Sequence, residues 1–279
     1  MNHVDPATLS PRAVSLRESW DVVPGVVLAA IGEHTGRITE VVPAGTGYSS
    51  HVAATLTTER GMVFVKGMRA DHALAWTQRR EAVVNPHVVP ISPRLLWRVT
   101  VAGWDVLGFE HVSGRIADFG QASGDLPLVV ATMTELSRDA PDVELTPAED
   151  RWNAYLDDPG DARLLVGGTL LHTDWHHTNL LVTGARTMRV VDWAVATRGA
   201  AWIDPACWVV WLVHAGHTAA EAQRWAAKVP AWSTAPDGAL DAFARVLARY
   251  WQDIADKNPN TMTYRLRDAA ARWAAYRSS

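Results

Sequence analysis

The stretch LLVGGTLLHTDWHHTNLLVTGARTMRVVDW, residues 164–193, decides the fold of this chain. An apolar run from Leu164 to Leu171 leads to Asp174, and a second run from Met188 to Val191 leads to Asp192. Short apolar runs that are bounded by turn residues predict buried strands. The stretch therefore predicts two strands, each followed by a carboxylate, with a polar loop between them.

The polar residues of this loop have the spacing of a kinase catalytic loop that is followed by a metal-binding aspartate. One residue separates His172 from Asp174, four more separate Asp174 from Asn179, and Asp192 closes the second strand. Transfer of a γ-phosphoryl group requires positioning and neutralisation of negative charge more than covalent work by the protein. Asp174 suits a base that orients a hydroxyl group and accepts its proton. Asn179 and Asp192 offer the hard oxygen ligands that Mg²⁺ prefers.

With these residues the sequence resembles the aminoglycoside phosphotransferase and choline kinase family, which shares the protein-kinase-like fold. The resemblance implies an α/β (α+β) chain of two lobes, with a small antiparallel sheet in the N-terminal lobe and a mostly helical C-terminal lobe. It covers roughly residues 38–212. The chain departs from the family pattern at Thr173, where the family usually has glycine, and at His177 and Thr178, where it usually has proline and glycine.

Metal-assisted hydrolysis is an alternative interpretation of the same loop. His172, Asp174, His176 and His177 crowd together, and imidazole with carboxylate is a common set of zinc ligands. A hydrolase of this kind usually has further ligands on other strand ends, and the rest of the chain offers no comparable cluster. His172 is better interpreted as a histidine that packs beneath the loop.

The N-terminal third predicts a nucleotide-binding lobe. A hairpin and a third strand are expected near residues 38–42, 51–57 and 62–66, and Gly45 and Gly47 in the hairpin turn would let backbone N–H groups approach phosphates. The resemblance adds Ser49 as a phosphate contact. Lys66 is the only lysine in the first 227 residues, and it ends the third strand where a kinase fold needs a cation for the phosphates. Glu81 follows on the next helix and is placed to pair with it.

Glu110 and His111 begin a segment that resembles the hinge between kinase lobes, where backbone groups meet the base of the nucleotide. We therefore expect an N-terminal lobe over residues 1–111, including a helical appendage at its start, and a helical lobe over residues 112–279 with the catalytic loop and the acceptor site. Residues 139–161 hold eight acids against one base, which is typical of a solvated face and would also suit an acidic wall for a cationic acceptor. Asp204 is expected to cap the helix that follows the catalytic stretch, and Thr146 to open an earlier helix with a capping box.

Composition restricts the remaining classes of function. The 279 residues are 48% apolar, and no run approaches the roughly 18 apolar residues of a membrane span. The first residues lack the pattern of a signal peptide, so the expected location is cytoplasmic. A net charge of −4 without basic runs argues against nucleic acid and anionic membranes as partners. Cys207 is the single cysteine, which excludes an internal disulfide.

The sequence therefore predicts a Mg²⁺-dependent kinase that uses ATP or GTP as co-substrate and phosphorylates a hydroxyl group of a small molecule. The resemblance implies an antibiotic or related natural product as the acceptor, with inactivation as the outcome, and an amino alcohol or sugar as the nearest competitor. Nothing between Asp192 and Asp204 resembles a long activation segment, which argues against protein substrates. The alternative from a different class of function is a nucleotide-binding module without catalytic activity.

Overall fold

The computed structural model describes residues 17–45 and 50–279. In the first lobe, five strands form one antiparallel sheet in the order β1-β2-β3-β5-β4. The strands are β1 (Ile38–Pro43), β2 (Val52–Thr58), β3 (Gly61–Arg69), β4 (Leu95–Val101) and β5 (Trp104–Glu110). All pairs are antiparallel, and Lys66 on β3 faces Leu107 of β5 across the ladder. The predicted hairpin and third strand are therefore present, close to their expected bounds.

Helix α1 (Gly25–Thr35) covers one face of this sheet. Its buried residues Val27 and Ile31 join Val65 and Trp104 in a compact apolar cluster. Removal of such side chains from water stabilises a fold by about 1.5–3 kcal/mol each. This core fixes the strand that carries Lys66.

Helix α2 (Ala75–Val88) carries Glu81 and contains a proline, Pro86. A proline this far along a helix commonly ends it, yet α2 continues for two residues beyond Pro86. Val84 and Val88, on either side of the proline, are both fully buried in the core of the second lobe. Their burial offsets the disruption that a proline causes inside a helix.

Six short strands surround the catalytic stretch. They form two three-stranded sheets, in the orders β10-β9-β6 and β7-β11-β8. The strands are β6 (Gly114–Ile116), β7 (Thr146–Pro147), β8 (Thr169–Leu171), β9 (Leu180–Thr183), β10 (Met188–Val190) and β11 (Thr197–Gly199). The polar loop connects β8 to β9, and β6 pairs with β9, so the hinge segment and the loop are parts of one framework.

Helices form the rest of the second lobe. They are α3 (Leu126–Leu136), α4 (Ala148–Trp152), α5 (Ala162–Leu165), α6 (Ile203–His214), α7 (Ala219–Ala226), α8 (Ala239–Lys257) and α9 (Thr261–Arg277). Apart from its last residue, α6 is buried along its whole length, as expected of a helix that is apolar on all sides. Seven tryptophans are among the largest fully buried side chains: Trp104, Trp152, Trp175, Trp193, Trp202, Trp208 and Trp273. With the buried Trp211 and Trp251, core packing explains nine of the 14 tryptophans.

Two expectations about helix ends are wrong. Trp202, and not Asp204, precedes the first residue of α6, and Asp204 lies inside the first turn. The helix after Thr146 begins beyond Pro147, and no side chain caps it. Thr146 instead lies in strand β7 and accepts a hydrogen bond from Arg80.

The predicted two-lobed α+β architecture is confirmed, with an antiparallel sheet in one lobe and mostly helices in the other. The boundary near residue 112 stays a prediction. Across residues 17–45 and 50–279, every helix is too short or too polar to cross a membrane.

Candidate active site

Lys66 lies between two carboxylates. Its Nζ donates to Glu81 Oε2 at 2.7 Å and to Asp192 Oδ1 at 3.0 Å. Lys66 and Glu81 are 8% and 4% exposed, so the ammonium group and its partner are shielded from water. Burial opposes the charged ammonium, but the charges of Asp192 and Glu81 outweigh it and raise the pKa of Lys66. Burial also raises the pKa of Glu81, against the lowering effect of Lys66.

Asp192 has an unusual backbone conformation. Its φ of 68° and ψ of 65° lie in the left-handed region, which non-glycine residues seldom adopt. Such a conformation costs about 1–3 kcal/mol and concentrates at functional sites. The chain turns here from β10 into the short helix Trp193–Val195.

The polar loop is held from within by His172. The ring lies against Trp175 and Trp193, at centroid distances of 5.6 and 4.7 Å. Its Nδ1 accepts from the backbone N–H of Asp174 at 3.2 Å, so the proton of a neutral ring is on Nε2, which lies 3.0 Å from the carbonyl oxygen of Val191. The histidine therefore joins the loop to the segment that leads to Asp192.

Asn179 and Asp174 are in direct contact. The Asn179 Nδ2 donates to the carboxylate Oδ2 of Asp174 at 2.9 Å and to its backbone carbonyl oxygen at 3.0 Å. These two hydrogen bonds use both amide protons, and the amide oxygen of Asn179 remains as the atom that a hard cation would take. Asn179 is buried, whereas Asp174 is partly exposed.

Two buried charged residues, Asp204 and Arg151, support the loop from below, and the sequence predicted the first only as a helix cap. The Asp204 carboxylate accepts from the backbone N–H groups of His172 and Thr173 at 2.9 and 2.8 Å. Burial raises the pKa of Asp204, and the hydrogen bond from His172 opposes this rise. Arg151 Nη1 lies 2.7–2.8 Å from Thr173 Oγ1, Thr197 Oγ1 and the carbonyl oxygen of Val195, and these three acceptors share its two protons.

These contacts account for the departure from the family pattern at Thr173. Its φ is 66°, a conformation that suits glycine and strains a β-branched residue. The hydroxyl group lies 2.7 Å from the carbonyl oxygen of His172 and accepts from Arg151. Hydrogen bonds that glycine could not make thus hold the loop in a conformation that glycine would adopt freely.

The four proposed zinc ligands do not converge. His176 Nδ1 lies 2.5 Å from Thr178 Oγ1, and its ring packs against Trp211. His172 is engaged beneath the loop as described above. No group of three or more His, Cys, Asp or Glu side chains in the described part of the chain is arranged to hold a metal ion.

A cavity of about 440 Å³ lies between the lobes. Its wall includes Lys66, Asn179 and Asp192 at one part and the hinge residues Glu110 and His111 at another. Gly45 also lines it, whereas Gly47 and Ser49 lie outside the described residues. The Glu110 side chain accepts from the backbone N–H of Arg94 at 3.0 Å, which ties the hinge to the start of β4.

Arg17 lines the same cavity and is not among the site residues predicted from the sequence. It is partly buried; burial lowers the pKa of its guanidinium group, and the charge of Asp192 opposes this effect. No motif or periodicity marks Arg17, and the sequence predicts its segment only as an appendage.

A second, smaller cavity of about 30 Å³ adjoins Asp174. Its wall includes Trp211, Tyr250 and Trp251 from α6 and α8, together with Arg151. The acidic segment 139–161 contributes only Arg151 and Trp152 to it, so no acidic wall from this segment borders Asp174 at this cavity.

Neither a protein-family model nor a curated protein sequence matches this chain. Solved structures do match. Choline kinase LicA from Streptococcus pneumoniae superposes with a TM-score of 0.64 at 11% identity, over 90% of this chain and 98% of that chain. An aminoglycoside phosphotransferase from Alicyclobacillus acidocaldarius gives a TM-score of 0.62 at 14% identity, over 94% of this chain and 95% of that one.

A third match is aminoglycoside phosphotransferase APH(4)-Ia, in a ternary complex with ADP and hygromycin B. It has a TM-score of 0.58 at 16% identity and covers 90% of this chain and 97% of that chain. At these identities the matches establish the fold: the chain has the architecture that choline kinase and the aminoglycoside phosphotransferases share.

Proposed function

We propose that this chain is a Mg²⁺-dependent phosphotransferase that moves the γ-phosphate of ATP or GTP to a hydroxyl group of a small molecule. One observation carries the proposal. Asn179 lines the larger cavity together with Lys66 and Asp192, and it donates a hydrogen bond to Asp174 at the smaller cavity. The groups needed for phosphate, metal and acceptor hydroxyl therefore follow one another along a single path.

The larger cavity suits the nucleotide. Its volume of about 440 Å³ is within the range of small-molecule sites. In the proposed arrangement the base meets backbone groups near Glu110 and His111, and the phosphates meet Lys66, with Glu81 fixing the position of the lysine. AMP and ADP occur in the matching structures of LicA and APH(4)-Ia, which supports a nucleotide at this cavity.

The oxygen donors of Asn179 and Asp192 fit Mg²⁺, which takes few protein ligands and completes its shell with phosphate and water. When bound, the ion would neutralise charge on the phosphates. Asp174 would orient the acceptor hydroxyl and accept its proton, and the hydrogen bond from Asn179 Nδ2 would hold that carboxylate in place.

The acceptor would place a hydroxyl group in the smaller cavity. A volume of about 30 Å³ admits a single small group, so the body of the acceptor would lie outside it. We favour an antibiotic or related natural product, because two of the matching structures are aminoglycoside phosphotransferases. The rings of Trp211, Tyr250 and Trp251 favour an amino alcohol as the second candidate, since cations bind to aromatic faces.

The deciding experiment is a transfer assay with Mg²⁺, ATP or GTP, and a panel of aminoglycosides, other antibiotics and amino alcohols, scored by mass for a phosphate adduct. An adduct on one class that disappears in Asp174→Asn and persists in Asp142→Asn, a control at an exposed aspartate, would support the proposal. Nucleotide binding without transfer to any acceptor and without ATP hydrolysis would favour a binding module that has lost its chemistry. Absence of nucleotide binding would refute the proposal.

A further inference from the structure

Arg17 is positioned by a short anchored segment. The backbone N–H of Glu18 donates to the carbonyl oxygen of His51 at 2.6 Å, beside the start of β2. The Glu18 carboxylate lies 3.7 Å from Arg69 Nη2 and 3.9 Å from His51 Nε2. These contacts fix the backbone next to Arg17 against the sheet, so its place on the cavity wall is set by the fold.

The charges at the inner part of the cavity show what Arg17 contributes. Lys66 brings one positive charge, whereas Glu81 and Asp192 bring two negative ones. A nucleoside di- or triphosphate would add several more negative charges. Arg17 and Lys66 are the two Lys or Arg side chains among the described residues that line this cavity. Because the ammonium group of Lys66 already serves two carboxylates, a guanidinium group on the same wall would offer the phosphates hydrogen-bond donors that neither Lys66 nor a bound Mg²⁺ supplies.

We propose that Arg17 is a ligand of the nucleotide phosphates, contributed by the segment that precedes the sheet. A guanidinium group suits this role because its planar set of donors matches two phosphate oxygens at once. The inference rests on the proposed nucleotide site and adds to it a residue outside the resemblance, which begins near residue 38. The preceding segment is then part of the binding site, and not an appendage.

The test compares affinities of the full chain for ADP with Mg²⁺ and for adenosine, by calorimetry. Arg17→Ala should weaken ADP binding by about 10- to 100-fold, as expected for loss of a hydrogen bond to a charged group, and should leave adenosine binding within about twofold. Arg17→Lys should recover part of the loss. Arg37→Ala is the matched control, because Arg37 is 77% exposed and pairs only at 3.4 Å with Glu59 on the surface.

The outcomes separate the two proposals. If the wild-type protein binds both ligands and Arg17→Ala changes neither the ADP affinity nor its ratio to the adenosine affinity, Arg17 serves only to balance Asp192 and the inference is overturned. Equal weakening of ADP and adenosine would also overturn it, since that indicates a general structural effect. If the wild-type protein binds neither ligand, the proposed function fails together with the inference. Thermal unfolding of each variant shows that the fold is retained.

Discussion

Replacement of Arg151 by methionine should loosen the catalytic loop more than the nucleotide site. The Nη1 group of Arg151 lies 2.7–2.8 Å from three acceptors, Thr173 Oγ1, Thr197 Oγ1 and the carbonyl oxygen of Val195, which share its two protons. Methionine has a similar length and can keep the contact with Trp152, over which the guanidinium group lies at 4.9 Å. The variant therefore removes the donors while changing the packing little.

The expected loss of stability depends on which hydrogen bonds each acceptor retains in the variant. The Val195 carbonyl oxygen still accepts from the hydroxyl group of Thr197 at 3.0 Å, so it stays satisfied. The two threonine oxygens each lose a charged donor, at about 1.5–3 kcal/mol apiece. Removal of the buried charge of Arg151 offsets part of this loss of stability. We expect the free energy of unfolding to fall by about 2–4 kcal/mol.

Urea unfolding measures this loss, and the transfer assay measures its effect on function. Without Arg151, the strained conformation of Thr173 loses a support, so the carboxylate of Asp174 should be less well placed and kcat should fall while the affinity for ADP changes little. Arg80→Met is the matched control: Arg80 donates to Thr146 Oγ1 and to the carbonyl oxygen of Ala196, and does not touch the loop. A loss of stability below about 1 kcal/mol, or equal falls in kcat and ADP affinity, would refute the reasoning.

Three further predictions concern charge and space around the site. Lys66→Met should abolish transfer, and it should destabilise the protein more at pH 8 than at pH 5. Burial already raises the pKa of Glu81, and loss of the lysine would raise that pKa further, so ionisation of Glu81 would oppose folding as the pH increases. Urea unfolding at both pH values tests this prediction. Asp204→Asn should cost about 2–4 kcal/mol, since an amide cannot accept both backbone N–H groups as a carboxylate does. Because burial raises the pKa of Asp204, the contribution of this residue to the free energy of unfolding falls as the pH rises above about 4. This pH dependence of stability should be missing in the variant. Gly199→Ala should lower the free energy of unfolding by about 1–3 kcal/mol, because the added carbon would lie 2.5 Å from the side chain of Ala148. Gly184→Ala is the control: its added carbon has no neighbour within 4 Å, so thermal unfolding should be nearly unchanged.

The sequence predicted local features well. Alternating apolar residues and turn signals gave the strands of the first lobe, and the scarcity of lysine singled out Lys66, which lies in a buried ion pair with Glu81. The spacing from Asp174 to Asn179 predicted one polar loop that carries both residues, and in the structure their side chains are in contact. These successes share a cause: the relevant partners lie close along the chain or on adjacent elements.

The failures involve contacts between distant segments. Asp204 has the residue type of a helix cap, but its carboxylate binds backbone groups of the loop about 30 residues earlier. Pro86 continues a helix because neighbouring valines are buried in a core that the sequence does not delimit. Arg17 and Arg151 act on segments that no periodicity relates to them. Their roles depend on tertiary placement, which residue type alone does not specify.

The contacts of helix α2 have a consequence for motion of the lobes. Val84 and Val88 pack in the core of the second lobe, whereas Gln78 of the same helix donates to the backbone carbonyl oxygens of Lys66 and Asp105 in the sheet of the first lobe. Glu81 therefore stays beside Lys66 if the lobes swing apart, and the ion pair that such a motion breaks is the one between Lys66 and Asp192. Attraction between these two charges favours a closed cleft, and a phosphate group that enters competes with Asp192 for the ammonium group.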